Sequence, residues 1–221
     1  MMTLDAISVG RPQEAQWQGK TFQTSIFKTP VSGPVKVFFN NLEGDQQSDL
    51  KVHGGPTRAI YGYATEYYDF WKKELGLEKL DSGKLPWGFF GENLTISGGL
   101  FEDQLHVGDR FAIGDVELEV MQPRMPCFKL AMKVNDKGFI KKFADARKVG
   151  SYFGVIKEGT IEAGQSLTPT FVSENSITID EIVELYFFDK DNKSLINKAL
   201  QTERLTDSWK EYLQKRLDKQ E

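Results

Sequence analysis

Thiol and imidazole groups are scarce: 221 residues carry one cysteine, Cys127, and two histidines, His53 and His106. A single thiol excludes an intramolecular disulfide, and three such groups cannot complete a four-ligand Cys/His zinc site. The chain has no cysteine cluster for an iron–sulfur centre and no glycine fingerprint for a flavin or nicotinamide nucleotide. No apolar run is long enough to cross a bilayer and no signal peptide follows Met1. A cytoplasmic location, a reduced thiol and no membrane partner are therefore expected. A net charge of −4 argues against general nucleic-acid binding.

What remains is an ordinary globular composition, with room for one sizeable core or a larger domain and a small appendage. Residues 6–9, 21–28 and 34–39 are short β-branched or aromatic runs broken by Gly and Pro, which reads as strands and turns. From residue 65 a helix is expected, with Tyr67, Phe70, Trp71 and Leu75 on one core-facing side and Gly76 as its stop. Residues 111–113 and 116–120 flank Gly114-Asp115, a two-residue hairpin connection with glycine first. Val116, Leu118 and Val120 alternate with Glu117 and Glu119, so one face should be buried and the other wet. A helix over residues 139–148 and strands over 151–157 and 161–167 should complete the β-rich part near Phe171.

Beyond it the pattern changes. Thr178-Ile179-Asp180-Glu181 forms a capping box, and two further helical stretches contain Leu195 and Ile196, then Trp209 and Leu213. The chain thus divides into a mainly β part, residues 1–172, and three helices, residues 173–221, an α+β fold overall. The helices could resemble a DNA reader, but acids such as Asp207 and Glu211 dilute their basic residues, which favours packing or homodimer formation.

Chemistry concentrates in Gln122-Pro123-Arg124-Met125-Pro126-Cys127-Phe128-Lys129. The prolines stiffen the arm, and the residues after Pro126 favour a helix that would place Cys127 at its N-terminus. Backbone N–H groups, Arg124 and Lys129 would there favour a thiolate, the form that attacks or binds metal. The plainer reading is a small buried hydrophobe. Residues 124–148 carry about six positive charges in excess, which suits a local anionic ligand. The alternative for Lys133, Lys137, Lys141 and Lys148 is a solvated helix face.

Two other loops have donor character. Lys51-Val52-His53-Gly54-Gly55-Pro56-Thr57-Arg58-Ala59 places cations beside two glycines that let backbone approach an anion closely, although Gly-Gly-Pro is also an ordinary turn. Phe90-Gly91-Glu92-Asn93-Leu94 sets an acid and an amide after a glycine, or is simply a turn.

Taken in order, these three motifs resemble the MOSC domain, the molybdenum cofactor sulfurase C-terminal domain family, in its YiiM-like branch with a C-terminal three-helix domain. The resemblance spans nearly the full length. It implies a strongly bent β-barrel-like fold and binding of the molybdenum–molybdopterin cofactor, with Cys127 ligating molybdenum or handling sulfur destined for it. Arg124, Lys129, His53 and Arg58 would be the leading cofactor-binding residues, with Lys51, Gly54, Gly55, Glu92 and Asn93 beside them. Relatives reduce N-hydroxylated compounds such as hydroxylaminopurines to amines, which here would require a separate electron-donor protein. Pyridoxal phosphate, used by sulfurases fused to this domain, is not expected, since no lysine Schiff-base motif is present. Two alternatives are a sulfur carrier holding a persulfide on Cys127 and a hydrolase pairing Cys127 with His53.

Overall fold

The computed structural model describes residues 1–48, 54–77 and 85–220. In chain order its strands are β1 (Met2–Val9), β2 (Gln13–Trp17), β3 (Lys20–Thr24), β4 (Thr29–Val31), β5 (Val35–Phe38), β6 (Asn41–Leu42), β7 (Ile60–Ala64), β8 (Leu94–Ser97), β9 (Arg110–Ile113), β10 (Val116–Pro123), β11 (Ser151–Lys157), β12 (Gly159–Ile161) and β13 (Ser166–Phe171). The helices are α1 (Tyr67–Glu74), α2 (Phe128–Lys133), α3 (Phe139–Asp145), α4 (Ile179–Val183), α5 (Lys193–Gln201) and α6 (Asp207–Leu217).

β1 is the strand on which the sheet closes. The order runs β13-β9-β10-β11-β7-β8-β1, and β1 returns to pair with β13, giving a closed seven-strand barrel with β4 added outside β1. One strand serves three partners, and its register against β8 shifts between Leu4 and Ala6. Its start faces β13 at Met2 and Thr3, and its end faces β4 from Ile7 to Val9. Such a bulge bends and twists a strand, and closure removes exposed edges from the ring. The fold is mixed α+β, mainly β.

β7 is buried along its whole length, as a strand covered on both faces should be. It pairs antiparallel with β11 and parallel with β8, and the parallel pair encloses the crossover that contains α1. Tyr63 on β7, Trp71 on α1, Phe90, and Phe139 and Phe143 on α3 meet in one aromatic core. Trp71 stacks on Phe143 with ring centroids 5.2 Å apart. On α1 the buried face is Tyr67, Tyr68 and Trp71. Phe70, expected in that face, is 37% exposed.

The hairpin forms as expected, with Ile113 opposite Val116 and Gly114 at φ 55°. Glu119 does not face water. It is 3% exposed and pairs with Arg110 at 2.9 Å and Arg204 at 3.8 Å. The C-terminal part covers that face of β10, which local alternation could not reveal. The run expected as one strand over 161–167 is split between β12 and β13, the former pairing with β5 rather than joining the barrel. α3 stops at Asp145, and Arg147 and Gly150 then adopt φ 56° and 71°.

The capping box at Thr178 is complete: its hydroxyl accepts from the Glu181 N–H, and the Glu181 carboxylate accepts from the Thr178 N–H. α4 continues through one π-helical turn, Glu184–Phe188. Ile179, Ile182, Val183 and Leu185 are fully buried. Arg147 binds the Asp180 carboxylate at 2.6 and 2.7 Å, a bidentate pair joining the α3–β11 connection to α4. Among the described residues no helix is long and apolar enough to cross a membrane.

Gly150 joins this scaffold to the Cys127 arm. Its carbonyl accepts from the Arg124 N–H at 3.2 Å, and its own N–H donates to Glu102 at 2.6 Å. A Cβ at Gly150 would lie 2.5 Å from the Gly62 carbonyl oxygen, and its φ is one that side chains rarely adopt. Gly150→Ala is expected to lower unfolding stability by about 2–4 kcal/mol. Chemical denaturation checks this, and a change within experimental error contradicts it.

Candidate functional site

β10 delivers the arm and α2 ends it. Cys127 is the extended N-cap of α2, with φ −133° and ψ 173°. Its carbonyl accepts from the Leu130 and Ala131 N–H groups at 3.0 and 3.4 Å. The side chain is partly exposed and lines two adjoining cavities. At six residues α2 is short, so strand and prolines position the sulfur more than the helix does.

The first cavity has an empty volume of about 650 Å³ and is lined by Lys28, Arg58, Arg124, Cys127 and Lys129, with Tyr61 and Tyr152 among its walls. No described carboxylate lines it. Arg124 is 6% exposed, its guanidinium 5.4 Å from the Tyr61 ring and 5.7 Å from Phe143. Its Nη1 is buried without a hydrogen-bond partner among the described residues. Burial opposes its charge, but Tyr61, Cys127 and Tyr152 outweigh that and hold its pKa above the ordinary arginine value. Burial pushes the Tyr61 and Tyr152 phenols upward, so both are neutral near pH 7. Two rings thus flank the cation without neutralising it.

The other cations differ. Lys129 is 8% exposed, with no described carboxylate paired to it. Arg58 stands 3.5 Å from the Gln122 side-chain oxygen. Lys28 is bound to Asp45, and burial holds its pKa below the usual lysine range despite that partner.

Glu92 and Asn93 line neither cavity. Glu92 is fully buried and accepts from the Gly88 and Phe90 N–H groups and the Tyr68 hydroxyl, closing its own turn. Asn93 accepts from the Tyr61 N–H at 3.1 Å and donates to the Ser8 carbonyl and Asp45, at 3.2 and 3.0 Å. It holds the Tyr61 wall in place from behind.

Gly54 and Gly55 precede the 3₁₀ turn Pro56–Arg58 that carries Arg58 to the cavity, Gly55 having φ 93°. Lys51 and His53 lie outside the described residues, so the Cys127–His53 pairing that the hydrolase alternative needs has no described geometry. His106 lies 3.6 Å from Asp109 and lines neither cavity. Among residues the sequence did not single out as ligands, Tyr61, Tyr152 and Lys28 enter the site through strand pairing and long-range folding, and no local motif marks them.

Residues 49–168, more than half the chain, match the family model for the MOSC domain. The chain belongs to the MOSC domain family. Residues 177–220 of this MOSC protein also match the model for the YiiM-like 3-alpha helix domain. It is 34% identical over 214 residues to the uncharacterized protein YflK of Bacillus subtilis, covering 97% of this chain and 94% of YflK. A protein named reductase from Gibberella moniliformis is 30% identical over 151 residues, which are 68% of this chain and 26% of that protein. The crystal structure of YiiM from Geobacillus stearothermophilus matches with a TM-score of 0.79 and 31% identity, covering 98% of this chain and all of that one.

Membership associates the chain with the molybdenum cofactor, and the donor set fits such a group. A buried Arg124 Nη1 without a partner among the described residues suits an anion, and the described cavity walls supply no carboxylate. No group of three or more His, Cys, Asp or Glu could hold a metal among the described residues.

Lys133 ties the cavity rim together by donating to the Ile26 and Gly88 carbonyls, each at 3.0 Å, so it is not a solvated residue. Burial, aided by Arg124 and Lys28 and opposed by Glu92, lowers its pKa from 10.5 to about 8. Between those values the unfolded chain holds a proton that the folded chain has released, so folding stability rises with pH there. Below about pH 8 the buried charge opposes folding. Lys133→Met should remove roughly 3 kcal/mol of that pH-dependent rise. Denaturation series across the window check it, and an unchanged slope contradicts it.

Proposed function

We propose that this protein holds the molybdenum–molybdopterin cofactor, with Cys127 as molybdenum ligand, and reduces N-hydroxylated bases and related N-hydroxylated compounds to amines. The observation that carries this reading is the buried Arg124, its Nη1 without a partner among the described residues, in the cavity that the sole cysteine lines. Arg124, Lys129 and Arg58 would hold the anionic part of the cofactor, joined by Lys51 and His53 from their loop. When bound, the cofactor supplies the redox chemistry by which RNHOH, two electrons and two protons become RNH₂ and water.

The chain's own residues bind, orient and exclude. Arg124 lines the same cavity as Cys127, where its charge would attract the anionic sulfur that ligates metal. Neutral Tyr61 and Tyr152 wall the site without competing for the anion. Electrons come from a separate donor protein. The reductase-named relative supports the class of reaction.

Molybdenum analysis of protein made in a cofactor-competent host tests the assignment. Wild-type protein should contain near-stoichiometric metal, and Cys127→Ser should lose roughly tenfold or more. Equal retention by the serine variant contradicts the ligand role. A persulfide on Cys127 in metal-free protein would replace this reading with a sulfur carrier.

A further inference from the structure

A second cavity, with an empty volume of about 900 Å³, adjoins the first across a shared wall of Arg58, Met125, Cys127 and Tyr152. Its chemistry differs. Arg58 is its one cationic lining residue among those described, and its far side is Tyr186, Trp209 and Tyr212 from the C-terminal helices. These rings form a mutual cluster, with Tyr186 5.6 Å from both Trp209 and Tyr212, and Trp209 5.8 Å from Tyr212. The cluster is tied to the Cys127 arm: the Trp209 indole donates to the Gln122 side-chain oxygen at 3.1 Å, and the Gln122 amide donates to the Thr57 carbonyl at 3.1 Å. Tyr186 is 37% exposed, so part of this aromatic surface is open.

Resting on the cofactor assignment above, we propose that this aromatic wall is the substrate subsite, and that Tyr186 and Tyr212 select planar aromatic N-hydroxylated compounds by stacking. The cationic cavity suits an anionic cofactor and the aromatic one an uncharged flat ring. Both meet at Cys127, so a ring lying on the wall directs its N-hydroxyl group toward the sulfur. Small-molecule pockets are mostly apolar, and their few polar groups fix orientation. The three C-terminal helices then complete the site, with Trp209 as a positioning residue acting through Gln122.

Two probes with one reacting group separate ring recognition from chemistry: benzamidoxime carries a phenyl ring where acetamidoxime carries a methyl group. Their binding to the full chain is compared by calorimetry or ligand-observed NMR, for wild type, Tyr186→Leu/Tyr212→Leu and Tyr186→Phe/Tyr212→Phe, with thermal melts confirming folding. Wild type should prefer benzamidoxime by roughly tenfold or more. The leucine variant should lose that preference and the phenylalanine variant keep it. Wild type without preference, or a folded leucine variant with full preference, overturns the proposal. Should the leucine variant not fold, the phenylalanine variant decides: retained preference supports stacking, and lost preference refutes it. Turnover is read separately, so ring preference without reduction of either probe would sink the reductase reading while leaving the subsite standing.

Discussion

A buried guanidinium with no carboxylate partner among the described residues is the constraint around which this molecule is arranged. Arg124 sits between the Tyr61 and Phe143 rings, almost wholly removed from water, with Nη1 unpartnered among the described residues. Such a group is costly unless something negative completes it. The cavity it faces has cations and neutral phenols for walls. That imbalance makes sense as preorganisation: the folded chain holds the cation charged and in place for an anionic ligand.

The scaffold holds that charge in place by long-range means. Closure of the barrel at β1 and β13 fixes where β10 ends, and the Gly150 carbonyl then fixes the Arg124 backbone. Asn93 anchors Tyr61 from behind, and Glu92 closes the turn before it. Glu92 and Asn93 therefore spend their donor and acceptor groups on architecture, while Cys127 and its neighbouring cations line the cavity.

Local signals were legible wherever the structure depends on near neighbours. The Gly114-Asp115 hairpin, the Thr178 capping box and the N-cap position of Cys127 follow from glycine, spacing and proline placement. Glu119 was misread as wet because alternation reports only a strand's own two faces, and the cover containing Arg204 comes from a distant part of the chain. Lys133 looked like one of a periodic row of surface lysines, yet it bonds carbonyls more than forty residues away. Glu92 and Asn93 displayed functional groups that turn geometry consumes. Tyr61, Tyr152 and the aromatic wall on the C-terminal helices reach Cys127 only once the barrel has closed, so no motif could announce them.

Cofactor-dependent thermal stability of Arg124→Met tests the central claim most directly. Methionine fills much of the space between the two rings and removes the unpaired charge. Adding the molybdenum–molybdopterin cofactor should raise the unfolding midpoint of wild type but not of the folded variant. A folded variant that still gains the full cofactor-dependent rise would contradict the claim that Arg124 is held in readiness for an anion.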